Sequence, residues 1–254
     1  MKPDPREGLL PSVTTILQNY PKDWMGPWAA KLTAIEAVDN RAWWQEMDRD
    51  LAIAHLKGTP FRKRDDAAEH GTAVHKGFEA IAKGAPRTDD EDITASVFRD
   101  FLDRYGVTIV RAEYVVANYT EGYAGSGDLL AYIGGELWQI DHKTSGSINE
   151  DYELQQAAYR RAEVIVDTKP REIYRQHWYD PLAPQLEPVP LVERVGILHV
   201  PREAPEDWQL VELRAGEREY RAFLAVKSVF DYRRWAKQQP EPVEVPVPTS
   251  EAAA

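Results

Sequence analysis

Two aspartates and a lysine, Asp128, Asp141 and Lys143, stand where a short hairpin brings them together. Gly134-Gly135 separates two strand-like runs, and a two-residue hairpin loop needs positive φ at both central positions, which glycine adopts without steric cost. With those glycines as the loop, Ile133 faces Glu136, Tyr132 faces Leu137, and Asp128 falls opposite Asp141. Facing side chains project to one side with β-carbons about 4.5 to 5.5 Å apart. Lys143, two residues beyond Asp141, projects there too. Two carboxylates so placed repel unless a cation or a proton resolves them. An oxygen cluster beside an ammonium suits a hard divalent ion, Mg²⁺ or Mn²⁺. Such an ion grips a phosphate oxygen while the lysine orients or helps deprotonate an attacking water. Asp-x-Lys alone occurs on any exposed hairpin. Here the facing acid, the diglycine turn and the apolar Leu129, Ala131, Ile133, Trp138 and Ile140 predict a polar face set against a core face.

The rest of the chain must hold that hairpin. Ser12 is a helix cap before Val13, Ile16 and Leu17, and residues 24–39 also read as helix. Residues 39–66 are charged and mixed, with Arg62, Lys63 and Arg64 as a basic cluster. A helix is predicted over 65–83, where Asp65 and Asp66 suit its positive end, Gly84 its cap, and Val74, Phe78 and Ile81 its core face. Another runs from about 93 to 105. The period then changes to strands over 109–119, 125–133 and 136–143. A helix over 151–166, with Leu154, Ala158, Ala162 and Ile165 as its apolar stripe, follows. Residues 176–192 are Pro-rich and read as a surface excursion. Strands over 194–200 and 208–214 precede a helix over 217–238, and 240–254 reads as an extended or disordered tail.

Composition narrows the partners. The chain has 254 residues, 43% of them hydrophobic, enough for one domain with insertions. The organisation expected is a helical N-terminal region over 1–64, a core over 65–238 within the same domain, and the tail over 239–254. A net charge of −11 is the reverse of a general nucleic-acid coat, so nucleic acid would be held by a local patch or through bound cations. The absence of cysteine excludes disulfides, thiolate metal sites and cysteine-ligated iron-sulfur clusters. The N-terminus lacks the pattern of a secretion signal or transit peptide, and no apolar run is as long as a membrane span, so a cytoplasmic protein is expected.

Further residues join the hairpin. His75 lies at the edge of the Val74 and Phe78 stripe with Glu79 one turn on, and Gln155 and Tyr159 share a face one turn apart. Glu113, near the start of its strand, is a lesser candidate. Gly125-Ser126-Gly127-Asp128, then Asp141-His142-Lys143-Thr144, then Gln155 and Tyr159, resemble the successive motifs of RecB-like PD-(D/E)xK nucleases. Gly71-Thr72-Ala73-Val74-His75 with Glu79 resembles that family's early helix. Pro11-Ser12-Val13-Thr14-Thr15-Ile16-Leu17 and Trp28-Ala29-Ala30 are similar to the opening of phage-encoded exonucleases and of the mitochondrial genome maintenance exonuclease. Gly127 stands where the superfamily's name has proline, as in many RecB-like members.

The resemblance, which spans 11 to about 165, implies an α/β fold with a restriction-endonuclease-like core, a central mixed sheet flanked by helices. It implies His75, Asp128, Asp141 and the main-chain carbonyl of His142 as ligands of one or two Mg²⁺ or Mn²⁺ ions, with Lys143 assisting the nucleophile or the developing charge. Glu79 would support the site or touch metal. Gln155 and Tyr159 would contact the nucleic-acid backbone or orient Lys143. The implied activity is DNA cleavage, as an exonuclease on single-stranded or end-bearing DNA in phage or bacterial replication, recombination or repair. Trp24, Trp28, Trp43 and Trp44 are either core or stacking platforms for unpaired bases. Two rival readings are a glycoside hydrolase using the two acids, which leaves Lys143 without a task, and a non-catalytic DNA- or protein-binding module.

Overall fold

The computed structural model describes residues 9–166 and 186–239. Seven strands make one mixed sheet: β1 Thr108–Asn118, β2 Tyr123–Ile133, β3 Glu136–Lys143, β4 Val164–Val166, β5 Leu186–Pro188, β6 Arg194–His199 and β7 Gln209–Glu212. Their order is β5-β4-β1-β2-β3-β6-β7. Only β3 and β6 run parallel. The helices are α1 Val13–Leu17, α2 Met25–Asp39, α3 Arg41–Trp44, α4 Arg49–Ala82, α5 Ile93–Arg104, α6 Glu150–Arg160 and α7 Glu217–Ala236. The protein is thus α/β, with helices on both sides of a mixed sheet and a helical N-terminal region.

The diglycine turn has the predicted geometry, with φ of 60° at Gly134 and 90° at Gly135. The register follows: Ile133 pairs with Glu136, Tyr132 with Leu137, and so on to Leu129 with Ile140. One expectation is corrected. The side of the hairpin that carries Asp128 and Asp141 is no solvent-facing polar surface. Leu130 and Gln139 on that side are buried, under a core that includes Ile16, Leu154, Ala158 and Phe223 from α1, α6 and α7. The opposite side packs on Val74, Phe78 and Ile81 of α4 and Phe98 and Phe101 of α5. A central strand covered on both faces no longer reads as strict alternation, which is why Leu129 and Leu130 stand side by side.

Three boundaries differ from expectation. The mixed stretch before residue 65 is helix, continuous with the His75 segment, so α4 runs for 34 residues and crosses the expected boundary at 64. Pro60 lies inside it, where the missing N–H removes one rung of the helical ladder. The helix expected over 151–166 ends at Arg160, and Val164–Val166 pairs instead with Val115, Val116 and Ala117 of β1. A β-branched Val-Ile-Val run next to an open sheet edge gains more from pairing than from another helical turn. The Pro-rich stretch contributes β5, while its earlier part and the tail from 240 lie outside the described residues.

Two glycines of β2 are required by close packing. A β-carbon on Gly125 would overlap the Tyr159 ring, and one on Gly127 would overlap the Tyr114 ring. Gly127→Ala is expected to lower stability by about 1 to 3 kcal/mol through overpacking. Urea unfolding checks this, and an unchanged midpoint would mean the Tyr114 ring yields freely.

Candidate metal centre

The β2–β3 ladder ends at Leu129 opposite Ile140. One residue further, the Asp128 carboxylate accepts the main-chain N–H of His142 at 2.7 Å. A side chain thereby occupies the next hydrogen-bonding position, and Asp128 is anchored at the edge of the paired region. From α4, held against the sheet by Val74 and Phe78, the His75 ring reaches the same place. Its Nε2 lies 3.1 Å from the His142 carbonyl oxygen and so carries a proton. Its Nδ1 is 3.4 Å from Asp128 Oδ2 and 3.9 Å from Glu113 Oε1. A ring nitrogen of His75, a carboxylate oxygen of Asp128 and a ring nitrogen of His142 lie within 4.8 Å of one another.

Asp141 is placed differently from expectation. It does not join that cluster; its Oδ2 is taken by the Lys143 ammonium, which also sits 5.0 Å above the Tyr152 ring. The pair of aspartates expected to share one ion is therefore split, one toward His75 and one toward Lys143. Both are buried, and both are pushed above the usual carboxylate range. For Asp141 burial acts first and the neighbouring Asp128 second; for Asp128 burial outweighs the pull of His75 and Lys143. Burial works against the Lys143 ammonium, but Asp141 and Asp128 outweigh it and hold the group above its ordinary value. His75 likewise stays above its ordinary value despite burial, through Glu113, Asp128 and Asp141.

Glu113 is the residue that sequence reasoning underrated. It is the one non-glycine among the described residues with positive φ, 51°. The β1–β2 ladder passes it by, pairing Ala112 with Leu129 and Tyr114 with Gly127. An L-residue in the left-handed region costs about 1 to 3 kcal/mol, and such strain persists where surroundings demand it. Here it turns a third carboxylate toward His75. A lone acid in an otherwise ordinary strand was the only trace of this in the sequence.

Other expected residues fall in other places. Gln155 and Tyr159 come together, with Gln155 Nε2 donating to Tyr159 Oη at 3.0 Å, but both are buried and out of reach of a nucleic-acid backbone. The apolar stripe beside them is wider than expected, and the Tyr159 ring is packed on Gly125. Glu79 is not brought to the cluster: its carboxylate pairs with Lys83 one turn on. The four N-terminal tryptophans are not core, since Trp24 and Trp43 are exposed and Trp28 and Trp44 half-buried. Arg62 folds back on the Thr59 hydroxyl and the His55 carbonyl.

The donor set fits a divalent cation. Imidazole, carboxylate and a choice of carbonyl or ring nitrogen from His142 converge, and the two buried carboxylates lack enough positive charge to stay ionised at their usual pKa. Which part of His142 would bind is decided by its surroundings. The ring lies edge-on to Phe78 and Phe98 at 5.0 and 5.4 Å, neither nitrogen makes a hydrogen bond although Nδ1 is 3.7 Å from Asp128 Oδ2, and burial, then His75, push it down to about 3. The carbonyl lies within hydrogen-bond distance of His75 and would bind the ion in exchange for the Nε2–H bond it now accepts.

The unfolded chain binds a proton at His142 below its ordinary value of 6.5, whereas the folded chain refuses it until about 3. Stability held by the neutral ring is therefore complete above 6.5 and is lost as pH falls toward 3. His142→Phe should flatten this acid loss in melting curves while retaining the upward thermal shift that Mn²⁺ produces. Loss of that shift would make the ring, not the carbonyl, the ligand. No family model and no curated protein matches the chain, so the chemistry rests on this geometry.

Proposed function

We propose that the protein is a metal-dependent deoxyribonuclease of the RecB-like PD-(D/E)xK type, built on a restriction-endonuclease-like core. The observation that carries this reading is the meeting of His75 from α4, Asp128 from the middle of β2 and His142 from β3, with the paired Asp141 and Lys143 on either side of His142 in the same strand. His75, Asp128 and the His142 carbonyl would hold Mg²⁺ or Mn²⁺, with Asp141 and Glu113 alongside. Such an ion supplies Lewis acidity toward a phosphodiester oxygen.

The chain's own groups divide the remaining work. Asp128, tethered by the His142 N–H, needs no reorganisation to present its second oxygen. Lys143, kept protonated by Asp141, donates to the attacking water or to the charge that grows on the phosphate, and acts as donor rather than base. Gln155 and Tyr159 act from below, by packing Gly125 and keeping β2 in place. A glycosidase would need two free carboxyl groups, but Asp128 is engaged by His142 and His75, and Asp141 by Lys143. The substrate proposed is DNA with single-stranded or free ends, attacked exonucleolytically in phage or bacterial replication, recombination or repair.

End-labelled DNA incubated with Mg²⁺ or Mn²⁺ should be degraded by the wild type and spared in EDTA. Lys143→Ala should lower the rate by at least about 10²-fold, the usual loss for one preorganised donor. An unchanged rate in that variant overturns the assignment, and binding without cutting under every metal condition marks a non-catalytic module.

A further inference from the structure

The N-terminal helices carry more exposed apolar surface than their packing explains. Helix α2 buries no residue at all, and α4 extends well beyond the part that touches the sheet. Stepping back from His75 by four and three residues in turn passes Gly71, Ala68, Arg64, Phe61 and Lys57. These positions share one edge of α4, because residues three and four apart are neighbours on a helix. All but Gly71 and His75 are exposed, and Phe61 shows 58% of its surface. The Arg64 guanidinium lies 5.4 Å over the Phe61 ring. None of the six is acidic. Between Met25 and Arg64 basic residues outnumber acidic ones, in a chain whose net charge is −11.

We infer that this edge of α4 is a track for single-stranded DNA leading to His75, an inference that rests on the nuclease reading above. Each residue type suits a separate requirement. Ala68 is small and exposed and lets a strand come close to the helix backbone, while Gly71 beside it faces Thr144. Phe61 offers a face on which an unpaired base stacks, and Lys57 and Arg64 flank it with charge for the phosphates. Arg64 is bonded to Asp65 at 2.8 Å, but both side chains are more than half exposed, and such pairs exchange partners at little cost. A single strand is favoured over a duplex because the edge is one helix wide and its aromatic ring can meet a base only where no partner strand covers it. From His75 to Lys57 the rise is about 27 Å, the length of about eight stacked nucleotides at 3.4 Å each.

The test uses the full chain in EDTA with fluorescent oligothymidylates of two to sixteen nucleotides, followed by anisotropy. Wild-type affinity should climb with length to about eight nucleotides and then level. Phe61→Ala should weaken binding of a twelve-nucleotide strand by roughly 5- to 150-fold, the range for loss of one stacked base. Lys57→Glu with Arg64→Glu should flatten the salt dependence by about 0.7 in log–log slope for each cation removed. Arg218→Glu, a charge reversal on α7, should do neither. With Mn²⁺, a dinucleotide too short to reach Phe61 should be cut at the wild-type rate by every variant. Wild-type binding at the ridge variants, or equal loss in Arg218→Glu, overturns the track. If instead the ridge variants lose binding while the wild type binds but cuts neither length with metal, the nuclease reading fails and the track stands.

Discussion

The hydrogen bond from the His142 N–H to the Asp128 carboxylate holds the site together. It occupies the position just past the last rung of the β2–β3 ladder, so the strand pairing and the acid's orientation are one structural feature. A charge-assisted bond of this kind contributes roughly 1.5 to 3 kcal/mol. It also sets where the His142 carbonyl points, because in an extended strand the N–H and carbonyl of one residue face the same neighbour. His75 meets that carbonyl and the same carboxylate together. Loosening the end of the hairpin would therefore disperse three donors at once.

The electrostatics of the centre are costly for the fold alone. Taking carboxylates out of water is penalised unless they are paired, and two buried aspartates share the neighbourhood of Lys143 and His75. Glu113 adds a third acid through a strained backbone position. Local departures from low energy that cluster at one place, with no gain in packing, are the physical signature of a candidate site rather than of a stabilising core. The apolar walls of Phe78 and Phe98 on one side, and of Tyr114 and Tyr159 on the other, lower the local dielectric and strengthen every interaction within.

Helix α4 connects this centre to the N-terminal region. Its last turns pack on the sheet and deliver His75, while its earlier turns support α2 through the His55–Glu36 contact at 2.7 Å. A second tie runs from Asp66 to Arg202, in the segment after β6, whose N–H in turn meets the Thr144 carbonyl. The long helix is thus braced near its middle against the loop that follows Lys143. Displacement of the N-terminal helices would be felt at both His75 and β3.

The hairpin could be read from its residues alone. Two glycines permit positive φ, the strand period is two, and no tertiary contact is needed to deduce that Leu129 meets Ile140 or that Asp128, Asp141 and Lys143 lie near one another. Helical periodicity likewise placed Val74, Phe78 and Ile81 on a core face with His75 at its edge. How those charges are partnered came from the packing of the helices over the sheet. Asp141 turned to Lys143, Glu79 to Lys83, and Gln155 and Tyr159 were enclosed beneath β2, because side-chain partners depend on which elements pack overhead, and local spacing carries no record of that. The same holds for Val164–Val166, drawn into the sheet by β1, and for Glu113, whose positive φ sits where the β1–β2 ladder passes it by between Ala112 and Tyr114.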